Sequence, residues 1–282
     1  MRFFCVFIFL FVHFLSSAQS SSTFNVADSL YAARNFERAA LEYERAIFRA
    51  QTPDVVNRAL FGRVQSFKQM QQFDKASEEI LRIRLFTLSN DKMADYFYEK
   101  ILCNYLAGAF SEARGAIDEM YLNMPDSSLL SNTLILQVFV YNELKEWYLA
   151  QQTAMSFAQS LPSPEKEKLE ATIEMLYSKK NFPKLKSEQL SSVFAFIPGL
   201  AHIYTGHLAE GSVSLLINSA AFAFGVYQVW HGYYLTGYII GAGILGATYF
   251  GGFNRAAYLL QKHNDEKLRS FNNNVRKKLL DE

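Results

Sequence analysis

The sequence predicts an all-α chain in two parts: an α-solenoid of stacked helix pairs, followed by a helical hairpin of membrane length. Two observations predict it. An aromatic-x-x-Ala core recurs along the first half, its aromatics at 36, 73, 110 and 147, a constant step of 37 residues. The stretch from Ser191 to Gly252 is the only long, nearly uncharged, apolar run. Together they divide the chain into 1–18, a signal peptide; 19–180, the repeat domain with its capping helix; 181–189, a linker; 190–254, a membrane module; and 255–282, a basic helical tail.

Composition sets the outer limits. The 282 residues allow about two domains, and half are apolar, enough to bury a sizeable core. A formal net charge of +1 gives no global field for nucleic acid or acidic substrates, and the basic residues are spread rather than clustered with aromatics. Phe and Tyr far outnumber Trp, 25 and 16 against 2, which suits both a packed array and a bilayer interface.

The N-terminus reads as a short basic start, Met1-Arg2, an apolar stretch Phe3–Leu15, and small residues Ser16-Ser17-Ala18 before Gln19. That pattern predicts a signal peptide cleaved before Gln19, the alternative being an uncleaved anchor. Cys5 lies inside the apolar stretch, a poor place for a lipid anchor. After cleavage Cys103 is the only cysteine, so no internal disulfide can form. Export of the repeat domain rests on this segment alone.

Each repeat core carries apolar residues at helical spacing on both sides. After the alanines of Phe36–Ala39, Phe73–Ala76, Phe110–Ala113 and Trp147–Ala150 come Tyr43/Ala46, Ile80/Ile83, Ile117/Met120 and Ala154/Phe157. Before the aromatics lie Ala27/Leu30, Leu60/Val64/Phe67, Phe97/Ile101 and Leu134/Val138/Tyr141. Each unit is thus an antiparallel helix pair in which the small Ala admits close approach and the aromatic plugs the turn. A single pair cannot bury its stripe alone, so neighbours must stack. Pro53, Asp91, Pro125 and Pro162-Ser163-Pro164 fall at or near the joints between units.

Over roughly residues 23–160 this pattern resembles the tetratricopeptide repeat, with a period three residues longer than is usual there. The glycine that family places before the aromatic survives only as Gly108, and Asn104 breaks the stripe of the third unit. The resemblance implies that the first helix of each pair lines a concave groove for an extended or helical protein segment. The positions facing it would be Phe24, Tyr31, Phe61, Tyr98, Tyr105, Phe139 and Asn142. Ordinary core packing is the competing account of those aromatics.

Glu165–Tyr177 is a further amphipathic helix, with Leu169, Ile173, Leu176 and Tyr177 on one side, suited to close the end of an array. Lys179–Ser187, with Pro183 and four lysines, is a linker.

The apolar run opens on Pro198-Gly199-x-Ala201-His202-x-Tyr204-x-Gly206-x4-Gly211. It resembles the Pro-Gly-x-Gly-x-x-Tyr-x-Gly motif of a bacterial two-transmembrane-helix family, with Ala201 in place of the second Gly and His202 where Gln is frequent. The resemblance covers about the last third of the chain and implies architecture rather than activity. Two segments of membrane length follow, Ala209–Trp230 and Tyr233–Phe253. Gly237/Gly241, Gly243/Ala247/Gly251 and Ala221/Gly225 form small-residue ladders that permit close helix approach in lipid. Ser212, Ser214, Asn218, Ser219 and Gln228 make the first span polar on one face, which calls for hairpin packing or, alternatively, a pore. The tail carries Arg255, Lys262, Lys267, Arg269, Arg276, Lys277 and Lys278, which the positive-inside rule keeps cytoplasmic. Counting Leu190–Tyr204 as a short, Pro-broken crossing gives three passes and reconciles that tail with an exported array; without it there are two.

No phosphate loop, nucleophile elbow or metalloprotease His pair occurs. His202 and His207 are five residues apart, a poor spacing for ligands on one helix face, and no third ligand follows. These observations predict a non-enzymatic protein with no cofactor or metal, binding a protein partner through the repeats, and membrane lipid, but no nucleic acid. Its expected place is a multi-pass position in a bacterial cell envelope with an exported repeat domain. The alternative is a small transport, channel or assembly subunit whose function resides in the C-terminal helices.

Overall fold

The computed structural model describes residues 24–124 and 127–280; the signal peptide expected at 1–18 lies outside them. Every described element is helical, and no strand occurs among the described residues. The chain forms two compact units, the first ending at Glu174 and the second beginning at Met175. The division falls inside a helix, and the expected linker and tail both belong to the second unit.

The first unit contains α1 (24–32), α2 (Phe36–Arg49), α3 (Pro53–Gln69), α4 (Phe73–Ile80), α5 (Asn90–Leu106), α6 (Phe110–Asn123), α7 (Leu134–Glu143) and α8 (Trp147–Gln159). It ends within α9 (Glu165–Leu176). Helices adjacent in sequence pack on one another from α2 through α8, and α5 also meets α7. The recurring small residue is fully buried each time: Ala39, Ala76, Ala113 and Ala150 are all 0% exposed. So are Ala27, Val64, Ile101 and Val138, which share one repeat position on the first helices. Packing to interior density leaves no room for a larger side chain at either position. Across α1, α2 and α3, Phe24, Ala27, Ala39, Tyr43, Ala46 and Ala59 form one apolar cluster.

The turns inside the pairs repeat as well. Arg34, Gln71, Gly108 and Lys145 all take left-handed backbone, at φ 59°, 57°, 76° and 62°. At each, the following amide donates to a carbonyl five residues back: Asn35 to Leu30, Gln72 to Phe67, Ala109 to Asn104 and Glu146 to Tyr141, at 2.8–2.9 Å. This is the two-bond Schellman closure of a helix end. It then launches the next helix at the aromatic: the Tyr31 ring lies edge-on to Phe36 at 5.3 Å, and Tyr105 meets Phe110 at 5.7 Å. Left-handed backbone is therefore present in all four turns, once on Gly108 and three times on a residue that pays a steric cost there.

The second unit holds the end of α9, then α10 (Glu188–Ala195), α11 (Leu200–Tyr204), α12 (Leu208–Trp230), α13 (Tyr234–Thr236), a π-helical turn (Gly237–Ala242) and α14 (Gly243–Leu280). At 23 residues α12 is about 34 Å long. Among the described residues it is the one helix long and apolar enough to cross a membrane, by length and composition. The second expected span, Tyr233–Phe253, is not a single regular helix. It is shared among α13, the π turn and the start of α14, which runs on without a break through the charged tail. The tail is consequently no separate element: Ala256, Leu259, Leu260, Phe271, Val275 and Leu279 give it a buried stripe.

Candidate functional site

Two places in the molecule gather chemistry, one in each unit. In the first unit, α1, α3 and α5 present one face to a cavity of about 690 Å3. Phe24, Phe61 and Tyr98 line it together with Val55 and Leu88, and Asp54, Arg58, Lys92, Asp95 and Glu99 ring it. Phe61 and Tyr98 are one repeat apart, so the period itself places one beside the other.

Its walls are held from behind. Arg58 donates to Asp28 at 3.1 Å and stacks over the Phe24 ring at 4.2 Å, and the Tyr43 hydroxyl donates to the same carboxylate at 2.6 Å. Burial and that carboxylate push the Tyr43 phenol pKa up, so its proton stays in place for this bond. A Cβ on Gly62 would lie 2.5 Å from the Tyr43 ring, so only glycine lets that ring lie against α3. The buried Asn57 accepts from the Arg84 amide at 2.9 Å and donates to the Arg84 carbonyl and Thr87 hydroxyl. It thereby pins the loop before α5 onto α3. On the other side Glu99 accepts from Gln65 at 2.7 Å and from Lys68 at 2.6 Å, tying α5 to α3. Asp54, Lys92 and Asp95 carry no ion pair among the described residues.

Of the seven residues expected to face a groove, Phe24, Phe61 and Tyr98 meet in this cavity. Tyr105 and Phe139 meet each other further along, at 6.3 Å. Tyr31 packs into the turn against Phe36, and Asn142 is buried, so neither lines this cavity. The polar ring escaped the sequence reading. Its signal was available: Asp54, Arg58 and Gln65 lie at helical spacing from Phe61, and Asp95 stands one repeat after Arg58.

In the second unit the glycine-rich motif builds a backbone junction. Gly199, at φ 85°, starts α11, and its Cβ, were there one, would lie 2.1 Å from the Gly211 carbonyl oxygen. Gly206, at φ 95°, closes α11 with the same two-bond turn seen in the repeats, His207 donating to the His202 carbonyl. Tyr204 points back along the chain. Its hydroxyl accepts from the Ser187 amide at 3.0 Å, its carbonyl accepts from the Lys186 ammonium, and its ring lies edge-on to Phe194 at 5.1 Å. The tail side chain of Asn264 clasps the Lys186 backbone, accepting from its amide at 2.8 Å and donating to its carbonyl at 2.9 Å. Arg255 makes a two-pronged contact with Glu210, both bonds 3.0 Å.

These bonds bear on how Leu190–Tyr204 folds back on the chain. Tyr204 at the end of the segment returns to Ser187 just before its start, so both ends of Leu190–Tyr204 lie together near the beginning of α12. Its bend at Pro198-Gly199 packs against α12 at Gly211 and Leu215.

Beyond that bend, α12 and the returning chain touch through glycines. A Cβ on Gly241 would sit 2.6 Å from the Gly225 Cα, and one on Gly237 would sit 3.1 Å from the Gly225 oxygen. Asn218 donates to the Ser214 carbonyl at 2.8 Å and accepts from the Thr248 hydroxyl at 2.9 Å. Gly243 and Gly251 of the third ladder meet nothing within 4 Å, so that ladder faces outward. At the far turn Tyr227, Trp230, Tyr233, Tyr234 and Tyr238 are exposed.

Among the described residues no three His, Cys, Asp or Glu side chains come together as metal ligands. No family model, no curated protein and no solved structure matches this chain.

Proposed function

We propose that this protein is a non-enzymatic, membrane-tethered scaffold of the bacterial cell envelope. A tetratricopeptide-like array holds a protein partner, and the C-terminal helices hold the array to a bilayer. The observation that carries this reading is the aromatic cavity shared by α1, α3 and α5. Its size suits side chains of a bound segment, and its walls are fixed by bonds that do not themselves fill it.

Support for the tether comes from α12. It leaves Val213, Leu216, Phe222, Val226 and Trp230 exposed, a surface that lipid would cover. Its length matches roughly 30 Å of hydrocarbon, and the aromatic turn at its far end suits a headgroup layer. The chain returning from that turn packs on α12 and makes the second crossing of a two-pass hairpin. The polar residues that would argue for a conduit are partly engaged within the hairpin, Asn218 with Ser214 and Thr248. The repeat domain is exported if the segment 1–18 acts as a signal.

The test is cross-linking and capture from native membranes of the full chain against a Phe61→Ala/Tyr98→Ala variant. Partner recovery should fall roughly tenfold or more, as for loss of interface anchors, while the variant still fractionates with membranes. Undiminished recovery would remove the groove reading.

A further inference from the structure

α4 is the short member of its set: it has 8 residues, where α2 and α6 have 14 and α8 has 13. The chain beyond it, Leu81–Phe86, contains no glycine or proline to stop a helix. What holds it out of the helix is Asn57. Arg84 is extended, at φ −89° and ψ 99°, and the buried Asn57 side chain takes both its amide and its carbonyl. Asparagine bonded to backbone in this way competes with a helix. Ile83 still enters the core, at the repeat position of Ala46 and Met120. Phe86 does not, and is 83% exposed.

The same bonds fix where Phe86 stands. Asn57 lies near the start of α3, a short turn after α2 ends at Arg49. Arg82 reaches back to Glu44 of α2 at 3.2 Å. The loop is therefore held at the C-terminal end of α2, where Phe48 is 92% exposed. Arg49 follows Phe48 and Arg84 precedes Phe86 by two; both are exposed, and neither has an ion-pair partner among the described residues. The nearby carboxylates are already answered, Glu42 by Arg45 and Glu44 by Arg63 and Arg82. Leu122, two repeats after Phe48, continues this edge at the end of α6 and is exposed. One exposed phenylalanine is ordinary on a protein surface. Two at one edge, one of them on a loop pinned by buried bonds and each beside an unpaired arginine, form a built surface.

We propose that this edge docks on an anionic bilayer, with Phe48 and Phe86 in the headgroup layer and Arg49 and Arg84 paired with lipid phosphate. Charge complementarity carries the choice: two guanidinium groups without protein carboxylates match a negative surface and bond phosphate in a two-pronged way. Aromatic rings favour the same layer. The proposal rests on the tether described above only in that the tether keeps a bilayer within reach of the array.

The test uses the full chain in nanodiscs, with photoreactive benzoylphenylalanine in place of Phe48, of Phe86 or of Tyr148. Tyr148 is exposed at the start of α8, at the opposite end of its helix pair, and serves as the control. On irradiation in phosphatidylglycerol discs, positions 48 and 86 should form lipid adducts seen by mass spectrometry, and position 148 should not. Exchanging the lipid for phosphatidylcholine, which needs no further variant, should cut the adduct about fivefold or more, as should Arg49→Gln/Arg84→Gln. Absence of lipid adducts at both positions, adducts to a second protein molecule instead, or a yield indifferent to lipid charge would each overturn the proposal. Failure of the tether reads differently: the chain would not insert into discs, yet would float with phosphatidylglycerol vesicles and be released by Arg49→Gln/Arg84→Gln. A chain that neither inserts nor floats would overturn both.

Discussion

Gly199 and Gly211 meet backbone to backbone: a Cβ on Gly199 would lie 2.1 Å from the Gly211 oxygen, and one on Gly211 2.7 Å from the Gly199 oxygen. Gly199 also needs left-handed backbone, whereas Gly206 needs that backbone but has open space around it. The three glycines of one motif thus serve different ends, and alanine at each should separate them. Gly206→Ala carries only the left-handed penalty, about 1–2 kcal/mol. Gly199→Ala adds overpacking of about 1–3 kcal/mol more, and Gly211→Ala carries the overpacking alone. Thermal melts of the purified full-length variants should place Gly199→Ala lowest. Equal melting of Gly199→Ala and Gly206→Ala would contradict the close approach.

The intra-pair turns give a prediction of opposite sign. Gln71 and Lys145 hold left-handed backbone that glycine adopts freely, so Gln71→Gly and Lys145→Gly relieve strain. Part of the gain is offset by the greater entropy of an unfolded glycine, leaving on the order of 0.5–1 kcal/mol each. Gly108→Ala should lose a similar amount. Urea titration of the three variants checks this, and destabilisation by both glycine substitutions would refute the turn geometry.

Much of the first unit was legible because a repeat writes the same constraint four times. The step of 37 residues located the buried alanines, and Ala27, Val64, Ile101 and Val138 fell into register on the preceding helices. The left-handed turns were not read from the sequence, because Arg34, Gln71 and Lys145 carry no local signal for that backbone; the period from Gly108 alone points to them. The second unit was less legible. Local apolar length could not show that Leu190–Tyr204 folds back on itself, since that is made by bonds spanning 17 residues from Ser187 to Tyr204 and 78 from Lys186 to Asn264. Nor could spacing tell which small-residue ladder touches a helix: Gly237/Gly241 does and Gly243/Gly251 does not.

Overpacking at the repeat alanine is a direct probe of the helix-pair register. Ala76 and Ala113 are fully buried, so Ala76→Phe or Ala113→Phe should cost about 1–3 kcal/mol. Ala33→Phe, at an exposed position beside a turn, should cost little. Circular dichroism melts compare the three. An unchanged midpoint in both buried variants would show that the register is misplaced.

Cys103 is fully buried, and burial, then the Glu99 charge, pushes its thiol pKa up to about 12. In the folded chain it should resist a maleimide at pH 8 and react fully once urea unfolds it, because the thiolate is the nucleophile. The same shift sets a pH dependence. A raised folded pKa favours the folded state below the unfolded value, so stability should be flat below about pH 9 and fall as pH rises towards 12. Rapid labelling under native conditions would show that the first unit opens around Cys103.

The arrangement of the membrane end makes the number of crossings testable. Lys186, which precedes the re-entrant segment, is clasped by Asn264, which follows the hairpin. If the proposed tether spans a bilayer, two residues so bonded occupy one side of it, and an even number of crossings separates them. In the proposed two-pass arrangement the array is expected on that side too. In that arrangement Lys179, Lys180 and Lys184 of the linker and Lys262, Lys267 and Arg269 of the tail would share one face of the membrane. Placing all of them outside the cytoplasm opposes the positive-inside bias, which makes the side itself informative about 1–18. Single cysteines at Ser111 in the array and Asn273 in the tail, both exposed, are the probes, with buried Cys103 giving no background. An impermeant thiol reagent should label both in intact, outer-barrier-permeabilised cells if the array is exported, and neither if it is not. Labelling of Ser111→Cys without Asn273→Cys would restore an odd number of crossings and defeat the two-pass hairpin.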